Sequence, residues 1–171
     1  LLDTSDLDAF VLTSTHRGDE RTRWLAEHQV PFVTFGRPWE EDGSPHCWVD
    51  VDGRAGVRMA TEHLRQLGHH RIGFLGWPEG SDVGADREAG WRDAMTAAGW
   101  QTPALDELRR SVPDDVAAAA AASADLAQRG RPTAVVCASD SLALGAFDAL
   151  RRSGTAIVGF DDTPVASAVG I

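Results

Sequence analysis

Short apolar runs alternate with stretches of helical periodicity along the whole chain. AFVLT (9–13), PFVTF (31–35), CWVDV (47–51), RIGFLG (71–76), TAVVCA (133–138) and AIVGF (156–160) read as strands. Most are continuous rather than alternating, as expected of strands covered on both faces. Between them the apolar positions recur at helical spacing. Val57, Ala60, Leu64 and Leu67 share one face before a stop at Gly68, and Trp91, Ala94, Met95 and Ala98 share another, in a helix that starts near Asp86 and ends at Gly99. Pro113, Asp114 and Asp115 open an alanine-rich helix that Gly130 closes. A fourth helix follows Asp140 with Ala143, Ala146, Phe147 and Leu150 inward, and a weaker one over 21–28 rests on Trp24 and Leu25. Strands alternating with helices in this way predict an α/β fold with parallel sheets flanked by helices.

The alanine run 117–122 reads as helix rather than low complexity, because alanine has the highest helix propensity and lets a helix pack close to a sheet. RPWEEDGSPH (37–46) reads as a linker, and QTPALDELRR (101–110) as a linker or a short strand.

Composition narrows the functional classes. The formal charge of −10 over 171 residues opposes binding to a phosphate backbone, which depends on Lys and Arg displacing counterions. Two cysteines, Cys47 and Cys137, without CxxC spacing indicate neither a disulfide framework nor a zinc site, and read as reduced core thiols. No apolar run reaches the ~18 residues of a membrane span, and LLDTSDLDAF lacks a basic segment followed by an apolar one. A soluble, cytoplasmic protein is expected.

In an open parallel sheet, ligands bind outside the carboxyl ends of the strands. Here those positions hold Thr13, Ser14 and Thr15; Gly36 and Arg37; Asp52; Trp77; Ser139 and Asp140; Asp161 and Asp162. Carboxylates, hydroxyls, a guanidinium and an indole suit a polyhydroxylated small molecule. Each also has a purely structural reading. Asp140 is either a helix cap or a binding group, Asp161-Asp162 either a turn before Pro164 or a ligand contact, and Trp77 either a cover for the sheet or an aromatic face. His69-His70 reads as a turn rather than a metal pair. Arg87, in the first turn of its expected helix, is opposed by the helix dipole, which favours a functional role. No dinucleotide loop, GxxxxGK[ST], GxSxG or HExxH occurs, so neither an enzyme nor a cofactor is expected.

DAFVLTST (8–15), VPFVTFGR (30–37), VDVDGRAGVRMATEHLRQLGHHRIGFLG (49–76), DREAGWRDAM (86–95), ASDSLALGAFDAL (138–150) and IVGFDDTPVA (157–166) together resemble the effector-binding domain of the LacI/GalR family of bacterial transcriptional repressors. The resemblance covers most of the chain in family order. It implies a two-lobed fold like that of periplasmic sugar-binding proteins, with the effector held between the lobes. A partial amino-terminal lobe would span 1–68, a carboxyl-terminal lobe 69–162, and the start of a crossover 163–171. Arg87 matches the family's effector-binding arginine and Asp161 the first aspartate of its VGxDD element. Ser139 stands where many members have a ligand-contacting asparagine, and Asp140 matches the aspartate that follows it, a helix cap and cleft organiser. Trp77 and Trp39 sit on cleft-facing elements, and their aromatic character favours a saccharide.

The resemblance further implies a homodimer whose DNA operator is gripped by a helix-turn-helix outside these 171 residues. The family's hinge helix, first strand and last crossover also lie outside them. Between Gly154 and Thr155 the family usually has several more residues. Two readings from other classes are an extracytoplasmic sugar-binding protein of a transporter and a flavodoxin-like or sugar-processing enzyme.

Overall fold

The computed structural model describes residues 7–39 and 46–170. The chain divides into two compact units, Leu1–Asp52 and Gly53–Ile171. Residues 40–45, the centre of the expected linker, lie outside the described residues, as do 1–6 and the final residue.

In the first unit β1 (Phe10–Leu12), α1 (Glu20–Glu27), β2 (Phe32–Phe35) and β3 (Cys47–Val49) follow in order, and the three strands form a parallel sheet in the order β1-β2-β3. Asp19 caps α1 through the amide of Arg21, and Leu25 is its buried anchor. Trp24, expected to share that role, is exposed and stacks on His28 one turn on. The expectation of two covered faces does not hold here, since Val11, Phe35, Trp48 and Val49 are all exposed and Cys47 is a surface thiol rather than a core one. One short helix cannot cover both sides of a three-stranded sheet.

The second unit contains α2 (Gly53–Gln66), β4 (Ile72–Gly76), α3 (Asp82–Ala97), α4 (Thr102–Glu107), β5 (Arg109–Ser111), α5 (Val116–Arg129), β6 (Ala134–Cys137), α6 (Asp140–Leu150), β7 (Ala156–Val158) and α7 (Pro164–Val169). Its parallel sheet has the order β5-β4-β6-β7. The central strands β4 and β6 are buried at every position, which is why their sequences are continuous apolar runs. Phe74 of β4 stacks at 5.5 Å on Trp91 of α3, whose indole N–H donates to Ile72 O at 3.1 Å.

The division falls after Asp52 because Val57 and Leu64 of α2 join the core cluster of the second unit. Leu67, expected on the buried face of α2, is exposed, because the helix ends at Gln66 and Gly68 turns the chain at φ +94°. The alanine run does pack tightly, against α6: a Cβ on Gly145 would overlap Val116 O and the Ala119 methyl. The stretch 101–110 is neither a plain linker nor one strand but α4 followed by β5. Two arginines in that strand pair with Glu88 of α3 and Asp125 of α5. The short α6–β7 connection closes through Gly154 at φ +72° and a Ser153–Thr155 hydroxyl contact of 2.7 Å, and β7 still pairs in register with β6.

Candidate effector site at the carboxyl edge of the second sheet

The strand order dictates where a site can form. From β4 the chain moves outward to β5, then crosses back over β4 to β6 and on to β7, so the connections diverge between the carboxyl ends of β4 and β6. Such a switch point opens a crevice that no loop fills. Trp77 follows β4 there, and Ala138 and Ser139 follow β6.

Arg87 reaches this edge from α3. Its side chain is only 11% exposed; one terminal nitrogen donates to the Ala138 carbonyl and the other lies 3.4 Å from Asp161 Oδ1. The guanidinium lies 3.8 Å from the centroid of the Phe160 ring and 5.2 Å from that of Trp77. This stacking is favourable because the ring face carries negative charge density. Space for the arrangement comes from α2: a Cβ on Gly53 would stand 3.1 Å from Arg87 Cγ, and one on Gly56 would stand 2.8 Å from the Phe160 ring. The glycines of GRAG thus leave one stripe of the helix bare where these two side chains lie.

The helix dipole does not oppose Arg87, contrary to the expectation from its place in the sequence. Ser81 caps α3 and the helix begins at Asp82, so Arg87 stands in its second turn, where the dipole effect has faded. Its position is explained instead by what it binds.

Asp161 and Asp162 follow β7 with φ of +105° and +51°. Two consecutive non-glycine residues in left-handed backbone are costly and mark a turn held by its surroundings. Burial pushes the Asp161 carboxyl above the usual carboxylate range; the Arg87 guanidinium opposes this, and the Asp140 carboxylate adds to it. Asp162 points elsewhere, accepting from the Ser167 hydroxyl at 3.4 Å. Beside the pair, Ile157 to Asp162 and Asp140 line a hollow of about 320 Å³.

Ser139, not Asp140, takes the capping role. Ser139 is the N-cap of α6, its hydroxyl oxygen accepting from Leu142 N at 3.3 Å while the hydroxyl donates to Asp114 Oδ1 at 2.5 Å. Asp140 is the first helical residue, not the cap, and its Oδ2 accepts from Thr163 N at 2.6 Å. Trp77 packs against the core, with its carbonyl accepting from the Ser111 hydroxyl at 2.6 Å. Trp39 belongs to the first unit, where the Arg37 guanidinium stands 4.2 Å over its ring and Arg37 N donates to Asp50 Oδ2 at 3.2 Å. Among the described residues, Trp39 Nε1 and Trp77 Nε1 are buried without an acceptor.

The structure therefore brings Arg87 and Asp161 together, with Trp77 beside the arginine and Asp140 beneath the aspartate's turn. Phe160, Gly159 and Asp114 escaped the sequence reading as site residues. Phe160 ends an apolar run and Asp114 opens a helix, so neither carries a local signal of its role. His69 contacts Thr133 Oγ1 at 3.0 Å, and among the described residues no group of three or more His, Cys, Asp or Glu is placed to hold a metal. No helix among them is long and apolar enough to cross a membrane.

Residues 1–165 match the family profile described as periplasmic binding proteins and sugar binding domain of the LacI family. The HTH-type transcriptional regulator CelR of Thermobifida fusca is 36% identical over 168 residues, which is 94% of this chain and 48% of CelR. The HTH-type transcriptional regulator GalR of Escherichia coli is 36% identical over 124 residues, 68% of this chain and 36% of GalR. Among solved structures, a LacI-family regulatory protein from Chloroflexus aggregans is similar with a TM-score of 0.86 at 36% identity, over 98% of this chain and 61% of that one. A CelR–cellobiose complex is similar with a TM-score of 0.83 at 35% identity, over 97% of this chain and 52% of that one. The chain spans about half the length of the curated relatives it matches. These relatives are named as transcriptional regulators, which favours that reading over the transport component and the enzyme.

Proposed function

The chain belongs to the family of periplasmic binding proteins and LacI-type sugar-binding domains, and we propose that it is the effector-sensing part of a cytoplasmic transcriptional regulator that responds to a saccharide. The observation that carries this reading is the Arg87–Asp161 pair at the carboxyl edge of the second sheet, with the guanidinium stacked on Phe160. A carboxylate accepts from sugar hydroxyls and a guanidinium donates to sugar oxygens, so together they bind vicinal hydroxyls in a fixed geometry. Trp77 supplies an apolar face of the kind that sugar rings stack on, and Trp39 is the first unit's candidate contact. Ser139 and Asp140 support the site rather than touch the effector, since the Ser139 hydroxyl is held between Asp114 and Leu142 N and Asp140 Oδ2 is held by Thr163 N.

In the intact regulator a homodimer would present helix-turn-helix heads to an operator, a task unsuited to this acidic chain itself. Control of DNA binding requires that the effector bind two arrangements of the regulator with different affinity, because a ligand that binds both equally shifts nothing.

A thermal-shift screen of the full-length protein against saccharides and nucleobases tests the reading, with cellobiose as the first arm because the similar CelR structure holds it. Ligand at 100 times its Kd adds about 2.7 kcal/mol of stability, an easily read shift. Arg87→Ala and Asp161→Ala should each weaken the calorimetric affinity for the saccharide that scores while leaving the protein folded. Unchanged affinity in both variants removes the site assignment.

A further inference from the structure

We propose that Asp140 and Gly159 form a latch that positions Asp161 opposite Arg87, so that Asp140 acts on effector binding through the turn rather than by contact. The proposal rests on the reading of Arg87 and Asp161 as effector-binding groups.

Three observations carry it. First, Asp140 is 4% exposed and its carboxylate lies against the segment 159–163. Oδ2 accepts from Thr163 N at 2.6 Å, and Oδ1 fills the place where a Cβ on Gly159 would stand. Second, the segment between these two anchor points contains the left-handed pair Asp161 and Asp162, a conformation the backbone abandons unless something holds both ends. β7 holds one end through its register with β6, where Val136 pairs with Val158; Asp140 holds the other through Thr163, itself the N-cap of α7. Third, Asp161 Oδ1 meets Arg87 at 3.4 Å, at the outer limit of a hydrogen bond. A displacement of a few tenths of an ångström ends that contact, so the pair depends on whatever sets the turn.

Glycine at 159 follows from the same geometry. Its φ is not left-handed; the requirement is the absence of a side chain, because a methyl group would push the Asp140 carboxylate off Thr163.

The test measures hydrogen exchange by mass spectrometry in the full-length protein, comparing Asp140→Ala, Asp140→Asn and Gly159→Ala. Asp140→Ala should speed exchange across 157–166 roughly tenfold, the effect of losing one hydrogen bond to a charged acceptor. Peptides from β4 and β6 should keep wild-type protection. Asp140→Asn, whose amide oxygen still accepts from Thr163 N, should restore most of the protection, and Gly159→Ala should reproduce Asp140→Ala. If Asp140→Ala fails to fold, Gly159→Ala carries the comparison. Wild-type exchange at 157–166 in both variants overturns the proposal.

A second arm titrates cellobiose as the probe. Asp140→Ala should lower affinity about tenfold in the wild-type background and not further in Asp161→Ala, because a positioning residue has no effect once the residue it positions is gone. Additive losses overturn the positioning role. A protein that shows the exchange pattern yet binds no saccharide counts against the effector reading alone and leaves the latch standing.

Discussion

Arg87→Lys separates the geometry of the site from its charge. Lysine keeps the positive charge opposite Asp161 but offers a point ammonium in place of a planar fork. From 87, it cannot satisfy the Ala138 carbonyl and Asp161 together, as Arg87 does, and it cannot stack flat on Phe160. Loss of one charge-assisted hydrogen bond costs about 1.5–3 kcal/mol, and a weakened ring contact about 0.5–1 kcal/mol. Part of this is recovered because Asp161, 43% exposed, regains water. A net loss of about 2 kcal/mol lowers the melting temperature by roughly 4–8 °C for a chain of this size. The same misplacement should weaken saccharide affinity about tenfold or more, since about 1.4 kcal/mol is a factor of ten. Scanning calorimetry of the apo protein and isothermal titration with the saccharide read the two effects separately. A lysine variant with wild-type affinity and melting temperature refutes the reasoning, because charge alone would then account for the site.

Other perturbations test other parts of the structure. Asp161 has a folded-state pKa above its unfolded value, so in that window the native state binds more protons and stability falls as pH rises. Asp161→Asn should therefore melt higher than wild type at neutral pH, and the gap should close as pH falls through the raised value toward the usual carboxylate range of about 4; a gap that widens on acidification contradicts the burial argument. Ser139→Ala removes the α6 cap and leaves Asp114 without its hydroxyl partner, a loss of about 1–2 kcal/mol by urea titration, whereas an unchanged midpoint would deny the cap. Gly145→Val drives a branched side chain into Val116 O and the Ala119 methyl, and should cost about 3 kcal/mol or leave the α5–α6 pair unable to close, as read by circular dichroism and denaturant titration.

Much of this was legible in the residues because it rests on near-neighbour physics. Apolar runs placed six of the seven strands among the described residues, helical spacing placed α2, α3, α5 and α6, and the polar residues after β6 and β7 marked the sheet edge where Ser139, Asp140 and Asp161 stand. Local reasoning failed where a local signal was ambiguous or absent. Asp is as good a cap as Ser, so sequence alone could not say which of Ser139 and Asp140 takes that role; the structure gives it to Ser139 because Asp140 faces Thr163. Arg109 and Arg110 do not look like a strand, and β5 forms because β4 needs a neighbour and two carboxylates stand ready for the guanidinium groups.

Hydrophobic periodicity, the acidic charge and the candidate pair Arg87 and Asp161 belong to the sequence by itself. Strand order, the bare stripe of α2 and the Phe160 platform belong to the tertiary structure. Arg87 and Asp161 are 74 positions apart, and Arg87 and the Ala138 carbonyl 51. No local propensity encodes contacts over such separations; they exist only once the crossover from β5 to β6 has set two strand ends side by side.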